Sequence, residues 1–275
     1  MTVLAFLANH FPLAHLSPAF SLPHAAAGFA VGLLVGLTGV GGGSLMTPLL
    51  VLVFRIPPVT AIGTDLLYAA VTKAVGTLLH GAAGAVDWRV TARLAAGSVP
   101  ATLATLAVLG HFGLTGGPGS ALLSHALGLA LILTSAALLF RGRLLAWGAR
   151  ALPAPAPRRA AALTVATGAV LGVLVPLSSV GAGAVGVTAL LLLYPRLPLA
   201  RVVGSDIAHA VPLTLAAGAG HWLLGSVDPP LLGALLAGSI PGITLGSRLA
   251  ARLPERLLRH SLAGILVLVG GRLLA

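Results

Sequence analysis

The sequence predicts an all-α integral membrane protein of two inverted repeats, each a broken or re-entrant helix followed by three transmembrane helices, about eight membrane segments. Three observations carry that prediction: an apolar composition, an internal repeat, and the placement of the arginines. Of 275 residues, 57% are hydrophobic and only 8% are charged, with a mean hydropathy of +1.05. A soluble domain uses about 25% charged residues to cover its surface, so lipid must be the solvent here. A hydrocarbon core of ~30 Å needs about 20 apolar residues per helix. The basic excess, 16 Lys+Arg against 5 Asp+Glu, would suit a nucleic-acid binder if it were clustered. The arginines instead separate apolar runs, as they do in cytoplasmic loops, and no nucleic-acid partner is expected. The chain has no cysteine, which excludes disulfides and thiolate metal sites; no metal or cofactor is expected.

The repeat orders the elements. Gly28, Gly32, Val40 and Gly41 recur 140 residues later as Gly168, Gly172, Val180 and Gly181. After one inserted residue the offset becomes 141, matching Gly63-Thr64-Asp65 to Gly204-Ser205-Asp206, His80 to His221, Asp87 to Asp228 and Gly97-Ser98-Val99-Pro100 to Gly238-Ser239-Ile240-Pro241. The chain divides into an N-terminal arm (1–27), repeat 1 (28–141), a cytoplasmic basic linker (142–160) and repeat 2 (161–275). The arm holds Pro12, Pro18 and Pro23 and lacks a basic n-region, so it reads as interfacial and not as a signal peptide. The linker is rich in Ala-Pro and arginine, hence polar. Each repeat opens with a glycine-broken apolar stretch, 28–54 or 164–194. Three continuous helices follow, near 58–82, 90–110 and 122–141, then 199–224, 231–248 and 258–274.

Arginine counting sets the topology. If each broken stretch crosses the membrane, the copies share one orientation and the arginines divide almost evenly, seven outside against eight inside. If each is a re-entrant hairpin, the copies are inverted; thirteen arginines then face the cytoplasm and only Arg55 and Arg272 face out. The positive-inside rule favours inversion. The half-helices, read as roughly 16 and 11 residues, are also too short to span singly. Inverted repeats with broken helices meeting near the midplane are a recurring plan of secondary transporters.

In such a hairpin the second half-helix starts in mid-membrane. One tip is Gly41-Gly42-Gly43-Ser44, the other Gly181-Ala182-Gly183-Ala184. A helix N-terminus presents unpaired N–H groups and about half a positive charge, and small residues let an anion approach. These positions, with Lys73, are the candidate substrate-binding set. The Gly28-x-x-x-Gly32-x-x-x-Gly36 run reads as close helix packing. Asp65 and Asp206, with Thr64 and Ser205 beside them, are candidates for coupling or positioning. Each Asp follows a helix-starting proline by seven or eight residues, so lies about 10 Å deep, where an ionisable group costs about 2.5–3.5 kcal/mol. Lys73, two turns past Asp65, is the sole lysine and faces Thr214 in repeat register. It either pairs with Asp65 or meets an anionic substrate. His80 and His221, near helix ends, read as interfacial hydrogen-bonded groups with a proton relay as the second option. Asp87 and Asp228 precede helices as N-caps, and Pro100 and Pro241 are interior prolines expected to kink their helices.

At this point the residues resemble the sulfite exporter TauE/SafE family of bacterial membrane proteins. The resemblance rests on Gly36-Leu37-Thr38-Gly39-Val40-Gly41-Gly42-Gly43 with Pro48, on Ala61-Ile62-Gly63-Thr64-Asp65, on Gly84-Ala85-Val86-Asp87-Trp88 and on Gly97-Ser98-Val99-Pro100. It extends over residues 25 to 275, with weaker copies of each motif in the second half. It implies a multi-pass protein of the cytoplasmic membrane that exports sulfite or an organosulfonate. The expected partners are a small anionic substrate, the bilayer and coupled protons; a homo-oligomer is left open. The second tip departs from the glycine-rich form. An anion channel would also use re-entrant loops. An intramembrane enzyme would need a nucleophile and base, or a metal constellation, that this sequence lacks.

Overall fold

The computed structural model describes residues 21–38, 43–82, 84–114, 118–151, 155–249 and 255–274. Among these, ten helices follow in order: α1 (Leu22–Thr38), α2 (Gly43–Leu52), α3 (Pro58–Ala82), α4 (Trp88–His111), α5 (Pro118–Ala151), α6 (Pro157–Ser178), α7 (Ala184–Leu193), α8 (Leu199–Leu223), α9 (Pro229–Leu249) and α10 (Glu255–Leu274). Five of them, α4, α5, α6, α8 and α9, contain a stretch long and apolar enough to cross a membrane. Leucine-, valine- and phenylalanine-rich faces remain exposed, as at Leu103, Val108, Leu129, Val170 and Leu268. In water such faces would be unstable; in a bilayer they are the solvated surface. The chain is an all-helical, multi-pass membrane protein.

Both broken stretches fold back on themselves. In the second, the hydroxyls of Thr164 in α6 and Tyr194 after α7 share a 2.8 Å hydrogen bond. In the first, His24 and Phe54, near the corresponding ends, bring their rings to 4.4 Å between centroids. A segment whose two ends meet is a hairpin, whatever its length. That matters for α6, which at 22 residues is long enough to span and corrects the expectation that both half-helices are too short. Pro157 starts α6 early: its missing N–H is harmless at the first helical position and its fixed φ suits a helix.

The boundaries shift in two further places. Helix α1 begins at Leu22, so residues 22–27 belong to it and not to an arm; the rest of the predicted arm lies outside the described residues. Helix α5 runs to Ala151, well into the predicted linker. Arg, Leu and Ala between 141 and 151 are all strong helix formers, so the helix outlasts its apolar part.

Close packing pairs helices across the two copies. Helix α1 lies along α9, with Gly28 against Leu235 and Gly32 against Ser239, while α6 lies along α4, with Gly168 against Leu94 and Gly172 against Ser98. A Cβ at any of these glycines would overlap the neighbouring backbone, so the role is the packing predicted for the Gly28 run. In both pairs residue numbers rise together, so the helices are parallel. Two further pairs run the opposite way. Gly218 of α8 lies against Leu67 of α3 and Gly76 of α3 against Ile207 of α8. Gly128 of α5 meets Gly270 and Leu274 of α10, and Ser135 donates to the Ala263 carbonyl at 2.9 Å. The equivalent helices α3 and α8, and likewise α5 and α10, are therefore antiparallel partners.

Candidate functional site

The contacts between α3 and α8 set residues 71–72 opposite residues 212–213. Measured from that level at 1.5 Å per residue, Asp65 and Asp206 lie about 10 Å to either side, and Lys73 about 2 Å away. All three are buried: Asp65 is 0% exposed, Asp206 2% and Lys73 6%. By the same spacing Lys73 is nearer the level of Asp206, at about 8 Å, than that of Asp65, at about 12 Å. Of the two sequence readings of Lys73, exclusive pairing with Asp65 does not describe this arrangement.

The Gly-Thr/Ser-Asp triplets divide their work by side of the helix. Thr64 turns outward and accepts the Asp228 backbone N–H at 3.0 Å; Ser205 accepts the Asp87 N–H at 2.8 Å. Each hydroxyl thus holds the loop that starts a helix of the other copy. The two loop aspartates are N-caps, Asp87 Oδ1 accepting from the N–H groups of Arg89 and Val90, and Asp228 Oδ1 from that of Leu231. The Asp of each triplet turns inward. Asp65 Oδ2 accepts hydrogen bonds from Thr47 Oγ1 of α2 and from Ser179 Oγ at 2.9 Å. Ser179 ends α6 in the left-handed conformation, φ 57°, so Asp65 fixes the turn of the second hairpin.

That turn is Ser179 to Gly183. Gly181 and Gly183 have φ of 119° and 126°, values that a side chain would strain. No side chain caps α7 at Gly183. The methyls of this tip are not free: Val180 and Ala184 pack with Leu127, Leu131 and Leu266, and Ala182 packs in a second apolar cluster around Leu171 and Leu213. Of the first tip, Gly43 opens α2; Gly41, Gly42 and the Ser44 side chain lie outside the described residues.

Several groups joined here went unread in the sequence. His209, one turn past Asp206, is fully buried and sits 2.9 Å from Ser98 Oγ of α4. Its repeat equivalent is Tyr68, which faces Ser239, the equivalent of Ser98. The signal was available: both pairs stand in the 141-residue register. The hydroxyls of Tyr68 and Ser239 are buried and without hydrogen-bond partners among the described residues. His221 is buried in the last turn of α8; its Nε2–H donates to the Pro176 carbonyl at 2.9 Å. The His80 side chain lies outside the described residues. No cluster of three or more His, Asp or Glu suited to a metal occurs among the described residues.

The multi-pass helical architecture agrees with what the chain is similar to. The family model described as "Sulfite exporter TauE/SafE" matches residues 24–273. The Bacillus subtilis "Probable membrane transporter protein YjnA" is 38% identical over 250 residues, 90% of this chain and 97% of that protein. A second B. subtilis protein, "Probable membrane transporter protein YdhB", is 26% identical over 252 residues, 87% of this chain and 97% of its own length. No solved structure matches. Similarity of this extent identifies a membrane transporter, and the chain belongs to the sulfite exporter TauE/SafE family.

Proposed function

We propose that this protein is a secondary transporter of the cytoplasmic membrane that exports a small anion, sulfite or an organosulfonate, through a site between α3 and α8. The observation that carries the reading is Lys73: a buried cation about 2 Å from the level where two antiparallel, repeat-related helices are centred, with a carboxylate on either side. A cation this deep meets an acid or an anionic substrate, and here the acids are about 8 Å and about 12 Å along the axis to either side. In this reading the hairpin tips, Gly41, Gly42, Gly43 and Ser44 from one side and Gly181 and Gly183 from the other, present N–H groups to the anion beside Lys73. Asp65, Asp206, Thr64 and Ser205 carry the coupled proton or hold these groups in place.

The copies are inverted across the bilayer in this reading. The antiparallel partners α3/α8 and α5/α10 support it, as does the chain direction, which brings the Arg89 and Arg93 end of α4 to the Arg196 and Arg201 end of α8. Arg93 Nη1 in fact donates to Tyr194 Oη at 3.3 Å. One copy facing each way gives a single central site two mirror-related access routes, the geometry that alternating access requires.

The test is counterflow in proteoliposomes of the purified protein, loaded with sulfite, taurine-like sulfonates, sulfate, thiosulfate or carboxylates. Sulfite or a sulfonate should exchange at a rate at least about tenfold above the other anions, a difference worth ~1.4 kcal/mol in recognition. Equal or absent flux of every anion would end the proposal.

A further inference from the structure

Asp65 and Asp206 are equivalent in the repeat, yet their surroundings differ. Asp65 accepts two hydroxyls, one from Thr47 in the first hairpin and one from Ser179 in the turn of the second. Asp206 receives neither equivalent. The position matching Ser179 is Gly39, which has no hydroxyl. Thr188, which matches Thr47, donates instead to the Ala184 carbonyl of its own helix at 2.7 Å. Asp206 Oδ1 lies directly over Gly186 of α7, in the space a Cβ would fill, and has no hydrogen-bond partner among the described residues although it is buried.

Among the described residues, few groups face Asp206. From α3 comes Lys73, about 8 Å along the axis from the level of Asp206 and about 12 Å from Asp65. From its own helix comes His209, one turn on and held by Ser98 of α4. Helix α7 offers only the backbone at Gly186. A buried carboxylate without donors persists only through its counter-charge or by taking up a proton. Asp65 Oδ1 is likewise without a partner among the described residues, but its Oδ2 holds two hydroxyl donors, and Asp206 has no such donor.

From this asymmetry we propose that the two repeat-related carboxylates have divided their duties. Asp65 is a positioning residue that clasps the turn of the second hairpin to α2 and α3. Asp206 is the carboxyl that takes up and releases the coupled proton, with Lys73 as its counter-charge when unprotonated. Protonation of Asp206 withdraws the nearer negative charge from Lys73, so the proton and the anion load together; departure of the anion returns Lys73 to Asp206 and the proton leaves. One proton binds, one is released, and no covalent bond to carbon or sulfur changes. This inference rests on the proposed anion-transport reading.

The experiment uses purified full-length Asp65→Asn, Asp206→Asn, Thr47→Val and Ser179→Ala proteins in two measurements. In proteoliposomes with a pH gradient, acid on the side the sulfite starts from, Asp206→Asn should keep sulfite counterflow but lose gradient-driven accumulation by at least about tenfold. Asp65→Asn should weaken both together. In thermal unfolding, which needs no substrate, Asp65→Asn, Thr47→Val and Ser179→Ala should each lower Tm by several degrees, and Asp206→Asn should not. Accumulation retained by Asp206→Asn, or counterflow lost with it, overturns the assignment of Asp206. Equal melting losses for Asp65→Asn and Asp206→Asn overturn the clasp. If wild-type protein moves no anion, the transport reading fails, and with it the proton role, while the melting series alone still decides the clasp.

Discussion

Thr164 and Tyr194 stand thirty residues apart in sequence and 2.8 Å apart at their hydroxyls. That single contact turns a 22-residue helix, which by length alone would cross the membrane, into one arm of a hairpin. It also tells how far the turn reaches. From Thr164 to Ser178 the helix advances about 21 Å, less than the ~30 Å of a hydrocarbon core. His24 and Phe54 repeat the closure in the first copy.

Because the chain has no cysteine, this closure can be read directly. Paired substitutions Thr164→Cys with Tyr194→Cys, and His24→Cys with Phe54→Cys, should each be joined within one molecule by a short thiol crosslinker in membranes. Crosslinks only between molecules would mean that the broken stretches are not hairpins.

Inversion predicts opposite accessibility for equivalent loops. Val53→Cys, in an exposed position after α2, should react with an impermeant maleimide added outside intact cells. Leu197→Cys, after α7, should react only once the membrane is permeabilised. Equal labelling of both would place the two loops on one side and leave the copies parallel.

The repeat-related packing glycines should respond alike. Gly28 meets the Leu235 backbone and Gly168 the Leu94 backbone, with no room for a Cβ at either. Overpacking of this kind costs about 1–3 kcal/mol, so Gly28→Val and Gly168→Val should both lower the melting temperature of the purified protein, by similar amounts. A neutral result at either position would show that the helix pair can separate without loss.

Gly186 is a sharper probe of the site. An added methyl would overlap Asp206 Oδ1, so Gly186→Ala should displace the carboxylate from Lys73. We expect the variant to insert and fold, and its gradient-driven sulfite accumulation to fall by at least about tenfold, equivalent to ~1.4 kcal/mol. Wild-type accumulation in Gly186→Ala would show that the Asp206 position does not matter to transport.

Most of the helical layout was legible because it depends on local signals. Prolines at 58 and 229 start helices, Asp87 and Asp228 cap them, and glycine density marks the two breaks. The site was half legible. Asp65, Lys73 and Asp206 stand out because charge at membrane depth is costly and rare. Thr47, Ser179 and His209 do not: hydroxyls are ordinary in membrane helices, and their partners lie 18, 114 and 111 residues away. The asymmetry between the two aspartates was likewise hidden, since it depends on which carbonyl or carboxylate the Thr47 and Thr188 hydroxyls select after folding.

The central claim is that an anion is recognised at Lys73, between two antiparallel helices related by the repeat. The measurement that bears on it most directly is the concentration dependence of sulfite counterflow in proteoliposomes, for the wild type and for Lys73→Met. The account predicts saturable flux in the wild type and an apparent KM raised about tenfold or more in Lys73→Met, as loss of one charge-assisted contact requires. Flux that rises without saturation, or an unchanged KM in Lys73→Met, would contradict it.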